Sequence, residues 1–204
     1  MESPLDQSPG IPPTESSSRR EQEQGNVLFG FTVFLLSESM VFVSFFITYT
    51  ILRLSTAQWL PPGVSGPELS TPIIINTIIL LSSSLVIYFA EQALKKRNLW
   101  LFRLLWLATS AMGAYFLSGT LKEWQGLDFK LSTGLVGATF YLLTGFHALH
   151  ITVGIFLQML MLVRSFVYGN YNRGHYGVTC VSLFWHFVDG IWVILFSLLY
   201  LWQA

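Results

Sequence analysis

Long apolar segments separated by short polar links fill the chain from residue 26 onward. A helix needs about 20 apolar residues to cross the hydrocarbon core of a membrane. Five segments approach or exceed that length, at residues 27–52, 72–90, 99–118, 133–163 and 177–202. Their apolar runs are continuous rather than alternating, which argues against the strands of a membrane barrel. The pattern therefore predicts an all-α, polytopic membrane bundle of five transmembrane helices.

The first 25 residues have a different character. Prolines at positions 4, 9, 12 and 13 and the serine run at 16–18 offer little apolar surface to bury. Such a composition is typical of disordered segments, so we expect a disordered cytoplasmic tail over 1–25 and a transmembrane domain over 26–204. The tail is too long and too acidic to resemble the charged start of a secretory signal peptide.

The overall composition agrees with a membrane protein. Charged residues make up 11% of the chain and hydrophobic ones 52%, whereas soluble domains carry about a quarter charged residues. Eleven basic side chains balance eleven acidic ones, for a formal net charge of +0, and this balance argues against a nucleic-acid partner. Cys180 is the one cysteine, so neither an internal disulfide nor a cysteine-based metal site is expected.

Basic residues are distributed unequally between the two sides of the predicted bundle. With a cytoplasmic N-terminus, the inner side carries Arg19, Arg20, Lys95, Lys96, Arg97, Arg103, Arg164 and Arg173, and the outer side carries Arg53, Lys122 and Lys130. Loops rich in lysine and arginine face the cytoplasm. This asymmetry favours an N-terminus inside and a C-terminus outside.

Several ionisable residues lie well inside the predicted spans. They are Glu38 in the first span, His147 and His150 in the fourth, and His186 and Asp189 in the fifth. A charge at the bilayer centre costs at least about 2.5–3.5 kcal/mol, so such residues commonly mark functional sites. At the helical rise, four of them lie about 14–20 Å from the inner ends of their helices, with His147 about one turn further out. We therefore expect an intramembrane polar layer.

The helix faces support the same layer. On the fourth span, Thr144 and Gln158 extend the face of the two histidines, and on the fifth span Ser182 precedes His186 and Asp189 at helical spacing. Stripes of polar and small residues are typical of helix contacts within membranes. We expect the two stripes to face each other and the side of the first helix that carries Glu38.

Three kinds of chemistry could use these residues. Metal or haem ligation is the first, but the zinc-protease pattern His-Glu-x-x-His is absent. A haem held by His150 and His186 would leave the two carboxylates unexplained. Proton movement through carboxylates and imidazoles is the second. The third is structural: the groups satisfy one another and fix helix register, each interhelical bond contributing about 0.6 kcal/mol.

Spacing alone favours the structural interpretation for most of the layer. Glu38 is the exception, because its neighbours Phe42, Phe45 and Tyr49 offer no local cation.

Four stretches resemble subunit III of the haem–copper terminal oxidases, a family typified by cytochrome c oxidase. Residues 184–192 (FWHFVDGIW) are similar to its Trp-His-Phe-Val-Asp-x-x-Trp signature. Residues 144–150 (TGFHALH) resemble its Thr-Gly-Phe-His-Gly-Leu-His motif, with Ala148 for glycine. Residues 37–38 resemble the membrane Ser-Glu of the family, and Asn76 with Thr77 matches the pattern of its next helix.

The resemblance implies a subunit with no catalytic residue, redox centre or metal of its own. Haem and copper would lie in partner chains, the catalytic subunit I and subunit II of an oxygen-reducing, proton-translocating complex. The chain would support the catalytic subunit, pack structural phospholipid and assist proton uptake in a bacterial plasma membrane or another respiratory membrane. The polar layer would match the family's intramembrane polar positions, while Asn76, Thr144, Gln158 and Ser182 would serve helix packing.

Other functions stay open at this stage. Thr179 stands where many cytochrome c oxidase members have glutamate, and residues 182–186 also resemble quinol-oxidase versions. A quinol-oxidase subunit or a relative associated with nitric-oxide reductase is therefore an alternative. From a different class, a stand-alone membrane haem protein ligated by histidines competes with both. A transporter is disfavoured because no internal repeat is visible.

Overall fold

The computed structural model describes residues 13–63, 65–167 and 176–202. Five long helices dominate: α1 (Pro13–Ser55), α2 (Thr71–Lys95), α3 (Leu99–Gly126), α4 (Gly134–Arg164) and α5 (Tyr176–Phe196), the last continued by a π-helical turn at Ser197–Leu201. All five contain stretches long and apolar enough to cross a membrane, and the described part of the chain has no strand. The predicted all-α membrane bundle of five helices is confirmed.

The structure differs from the prediction at the start of α1. Residues 13–25, assigned to the disordered tail, belong to the helix, while the apolar span itself covers Gly25–Ser55. Proline is well tolerated in the first helical turn, and the arginines, glutamates and glutamines that follow have high helix propensity. Residues 1–12 of the expected tail, Arg173 of the inner basic set and residues 203–204 lie outside the described residues.

A short link joins α2 to α3. The backbone turns at Arg97, whose φ of 58° is positive, and Asn98 then caps α3 by accepting a hydrogen bond from the Leu101 amide at 3.2 Å. The two helices pack closely along their length: a Cβ on Gly119 would lie 2.3 Å from Nδ2 of Asn76. Both helices run past their predicted ends, since polar residues such as Glu91 and Lys122 continue the helical turn.

The helix α5 forms the centre of the bundle. Trp185 fills the space left by two glycines on neighbouring helices, because a Cβ at Gly113 or Gly154 would approach its ring to 2.5 Å or 2.9 Å. Small residues allow membrane helices to come close together, so α4 packs tightly on α5, and the Trp185 side chain reaches across to α3. The first helix is peripheral and rests mainly on α5, with a smaller contact to α4.

Candidate functional site

The carboxyl group of Glu38 meets an imidazole of a neighbouring helix. Oε2 of Glu38 on α1 lies 3.2 Å from Nε2 of His150 on α4. The other ring nitrogen, Nδ1, lies 2.8 Å from the carbonyl oxygen of Phe146. A carbonyl oxygen only accepts hydrogen bonds, so Nδ1 of His150 carries a hydrogen and donates it. This interaction fixes the ring with Nε2 directed at Glu38.

Aromatic side chains enclose the imidazole of this pair. The ring centroid of His150 lies 4.7 Å from that of Phe146 and 5.0 Å from that of Phe42, and Phe45 packs edge-on against Phe146 at 5.3 Å. The His150 side chain is 11% exposed, whereas that of Glu38 is 24% exposed. The carboxyl therefore approaches from the periphery of the bundle and reaches an apolar pocket that holds its partner.

A second polar group joins α2 to α5. The hydroxyl of Ser84 donates to Oδ2 of Asp189, and Nδ1 of His186 lies 3.1 Å from the same Ser84 oxygen. Asp189 is buried, while His186 is exposed. Sequence reasoning did not assign Ser84 to the site, although the run of three serines at 82–84 in an apolar helix was a signal. Its neighbour Ser83 accepts a hydrogen bond from Trp185 at 2.8 Å.

His147 belongs to neither group. Its ring is buried, stacked on Trp192 at a centroid distance of 5.1 Å and edge-on to Phe116 at 6.0 Å. Neither ring nitrogen has a hydrogen-bond partner among the described residues. The expected polar layer thus consists of the Glu38–His150 pair, the Ser84–His186–Asp189 group and a separate His147.

The predicted packing residues have different roles. Asn76 donates to the Phe116 carbonyl at 3.1 Å, and Gln158 accepts from the Ser110 hydroxyl at 2.6 Å, so both connect helices. Thr144 donates to Phe140 within its own helix. Ser182 is buried with no partner in the described part of the chain.

Polar contacts also tie the helix ends together. The hydroxyl of Tyr200 donates to Glu123, which links α3 to the end of the fifth span. Near the opposite end, Thr179 donates to Glu91 at 3.2 Å, and Glu91 forms an ion pair with Lys95 at 3.1 Å. Glu91 and Lys95 lie four residues apart on one helix, whereas the contacts to α5 depend on tertiary packing.

The hydrogen bonds do not suit haem ligation. Both ring nitrogens of His150 are engaged, and Nδ1 of His186 is directed at Ser84. His147 is enclosed by aromatic rings. Among residues 13–63, 65–167 and 176–202, no group of three or more histidine, cysteine or acidic side chains could hold a metal ion. The histidines of α4 and α5 are thus placed for hydrogen bonding within the bundle.

The family model of cytochrome c oxidase subunit III matches residues 16–204. The chain belongs to this family. Cytochrome c oxidase subunit 3 of Thermostichus vulcanus is 44% identical over 175 residues, which cover 85% of this chain and 86% of the relative. That of Synechocystis sp. is 41% identical over 175 residues, covering 85% and 75%. The subunit of Papio hamadryas is 30% identical over 186 residues, covering 89% and 71%. The resemblance inferred from the motifs is confirmed.

Proposed function

We propose that this chain is an accessory core subunit of a cytochrome c oxidase that reduces oxygen and translocates protons in an aerobic respiratory chain. The observation that carries the proposal is membership of the subunit III family over residues 16–204. The chain itself is non-catalytic, and its partners are the catalytic subunit I and subunit II, which hold haem and copper. The membrane is a bacterial plasma membrane or another respiratory membrane.

The hydrogen-bonded histidines support a role without a redox centre. His150 uses both nitrogens within this chain, so its coordination of a haem iron would require loss of a contact to Glu38 or Phe146. The Glu38–His150 pair instead joins the peripheral helix α1 to α4. We infer that this pair holds α1 in place and thereby maintains the surface on which lipid and the catalytic subunit rest, which supports steady proton uptake.

A groove between the outer ends of α2 and α3 supports a structural phospholipid. It has a volume of about 550 Å³ and is lined by apolar residues such as Ile75 and Tyr115, with Lys122 and Glu123 also on its wall. Apolar walls beside one basic and one acidic side chain match an amphiphile whose headgroup lies at the membrane interface. The lysine would meet the phosphate of the headgroup.

The electron donor and the orientation complete the proposal. The relatives are named for cytochrome c oxidase, which favours cytochrome c over quinol as the donor of the complex. The basic residues at the α2–α3 link, Lys95 to Arg97, favour the cytoplasmic side for that link, with the N-terminus inside and the C-terminus outside.

The proposal is tested by purification from native membranes through an affinity tag on this chain. We expect a haem- and copper-bearing subunit to co-purify, the complex to oxidise reduced cytochrome c, and the chain produced alone to show no Soret band. A stoichiometric haem in the isolated chain would overturn the proposal in favour of a stand-alone haem protein. Oxidation of a quinol but not of cytochrome c would assign the complex to the quinol oxidases.

A further inference from the structure

One side of α5 is open to the surroundings of the chain. Its exposed positions Leu183, His186, Gly190 and Val193 recur every three or four residues and so form a single stripe. The other sides of α5 pack on α1, α2 and α4. We call these four residues the α5 stripe. It lies beside α2, because His186 bonds to Ser84 of that helix.

His186 lies at a depth where an exposed polar group is unfavourable. It is ten residues into the span Tyr176–Leu201, about 15 Å from the start of a helix that rises 1.5 Å per residue. The hydrocarbon core offers no water to satisfy a polar atom. An imidazole on the bundle surface at this depth is therefore stabilised by a polar group from another molecule.

The hydrogen bonds of His186 define what that neighbour must offer. Ser84 has one hydroxyl hydrogen and donates it to Asp189, so Nδ1 of His186 must donate to the Ser84 oxygen. In the neutral ring, Nε2 then carries a lone pair. Within the part of the chain that the structure describes, only Nδ1 has a partner. The α5 stripe thus presents a hydrogen-bond acceptor to its surroundings.

Gly190 supplies a second, independent feature of the stripe. It lies four residues after His186 on the same face, and a Cβ added there would meet nothing within 4 Å. Packing inside this chain therefore does not require glycine, in contrast to Gly113 and Gly154 under Trp185. On the surface of a membrane helix, a glycine lets the backbone of another helix approach closely.

We propose that the α5 stripe packs against a transmembrane helix of another subunit of the oxidase, and that this helix places a hydrogen-bond donor opposite Nε2 of His186. The proposal rests on the proposed function, since the partner is another chain of the same complex. Lipid acyl chains offer no donor. A second copy of this chain packed symmetrically through the same stripe would bring one His186 acceptor against another, so a helix of different sequence is the occupant.

The first test uses the space around Gly190. Gly190→Leu meets no atom of this chain but would obstruct an approaching helix, whereas Ala111→Leu enlarges an exposed residue on α3. Tagged complexes are washed with increasing detergent, and haem per tagged chain is measured. We expect Gly190→Leu to lower the retained haem by more than threefold and Ala111→Leu to leave it unchanged. Equal retention in both variants would overturn the proposal.

The second test separates the two nitrogens of His186. A glutamine amide reaches the position of Nε2, whereas an asparagine amide reaches only that of Nδ1. We expect His186→Gln to retain as much haem per tagged chain as the wild type. His186→Asn and His186→Leu should retain about threefold less, which corresponds to the loss of one interhelical hydrogen bond. Full retention with leucine would show that the stripe faces lipid and would overturn the proposal.

A photoreactive residue at position 183 identifies the occupant directly. We expect an adduct with a different polypeptide of the complex; adducts only with lipid or only with a second copy would overturn the proposal. Wild-type chain that never co-purifies with a haem-bearing subunit would instead refute the proposed function, so the two failures are distinguishable.

Discussion

Oε2 of Glu38 and Nε2 of His150 lie 3.2 Å apart across the contact between α1 and α4. Because Nδ1 of His150 already donates to a backbone carbonyl, the hydrogen between the two side chains has two possible origins. Either a protonated Glu38 donates to a neutral ring, or a protonated ring donates to a carboxylate. In both cases the pair holds one proton between its facing atoms.

Substitution of Glu38 tests whether this proton only holds α1 against α4 through a hydrogen bond or is transferred during turnover. Glu38→Gln keeps the size and a donor for Nε2, so we expect normal assembly and nearly normal initial oxygen consumption. Glu38→Ala removes the partner of His150, and we expect a shorter active lifetime during turnover as α1 loosens. Oxygen consumption followed over time distinguishes the variants. Immediate loss of turnover in an assembled Glu38→Gln complex would instead identify Glu38 as an obligatory proton carrier.

Ser84 is expected to matter more than the other serines around it. Ser84→Ala removes the donor to the buried Asp189 carboxyl, and an unsatisfied buried group costs about 1–3 kcal/mol. Among the described residues, Ser82 bonds only to the Ile79 carbonyl of its own helix, so Ser82→Ala should change the free energy of unfolding by less than about 0.5 kcal/mol. Unfolding in detergent provides the measurement. Equal effects of the two substitutions would contradict this interpretation of the Ser84–Asp189 contact.

The packing of Trp185 predicts a large effect from a single methyl group. Gly113→Ala would place Cβ 2.5 Å from the Trp185 ring, which is fully buried and held by Ser83. Overpacking of this kind costs about 1–3 kcal/mol, so we expect a lower unfolding temperature. Gly30→Ala has open space around it and serves as the control, with stability unchanged or slightly raised by the better helix propensity of alanine. An unaltered Gly113→Ala protein would show that α3 can shift away from α5.

The proposed orientation predicts labelling from opposite sides of the membrane. In a Cys180→Ala background, a cysteine at Ser65 in the α1–α2 link should react with an impermeant reagent from outside. A cysteine at Asn98 in the α2–α3 link should react only from the cytoplasmic side. Both positions are exposed, so accessibility within the chain does not limit the reaction. The reverse pattern would reject the orientation inferred from the basic residues.

The sequence by itself determined the five spans and the family. A membrane helix satisfies its backbone hydrogen bonds within one continuous segment, so the length of an apolar run identifies it without reference to the rest of the fold. The motifs at 144–150 and 184–192 are likewise local, and they sufficed to indicate the family. The extension of α1 back to Pro13 was missed because composition does not distinguish a solvated helix from a disordered tail.

Only the tertiary structure decided which polar residues meet. Depth along each helix follows from counting residues, and it correctly placed Glu38 and His150 at compatible levels. The rotation of each helix about its axis cannot be obtained by counting residues. It depends on how neighbouring helix surfaces pack, here through Trp185 against Gly113 and Gly154. That packing brings Ser84 to Asp189 and leaves His147 among aromatic rings, a division that spacing within any single helix does not contain.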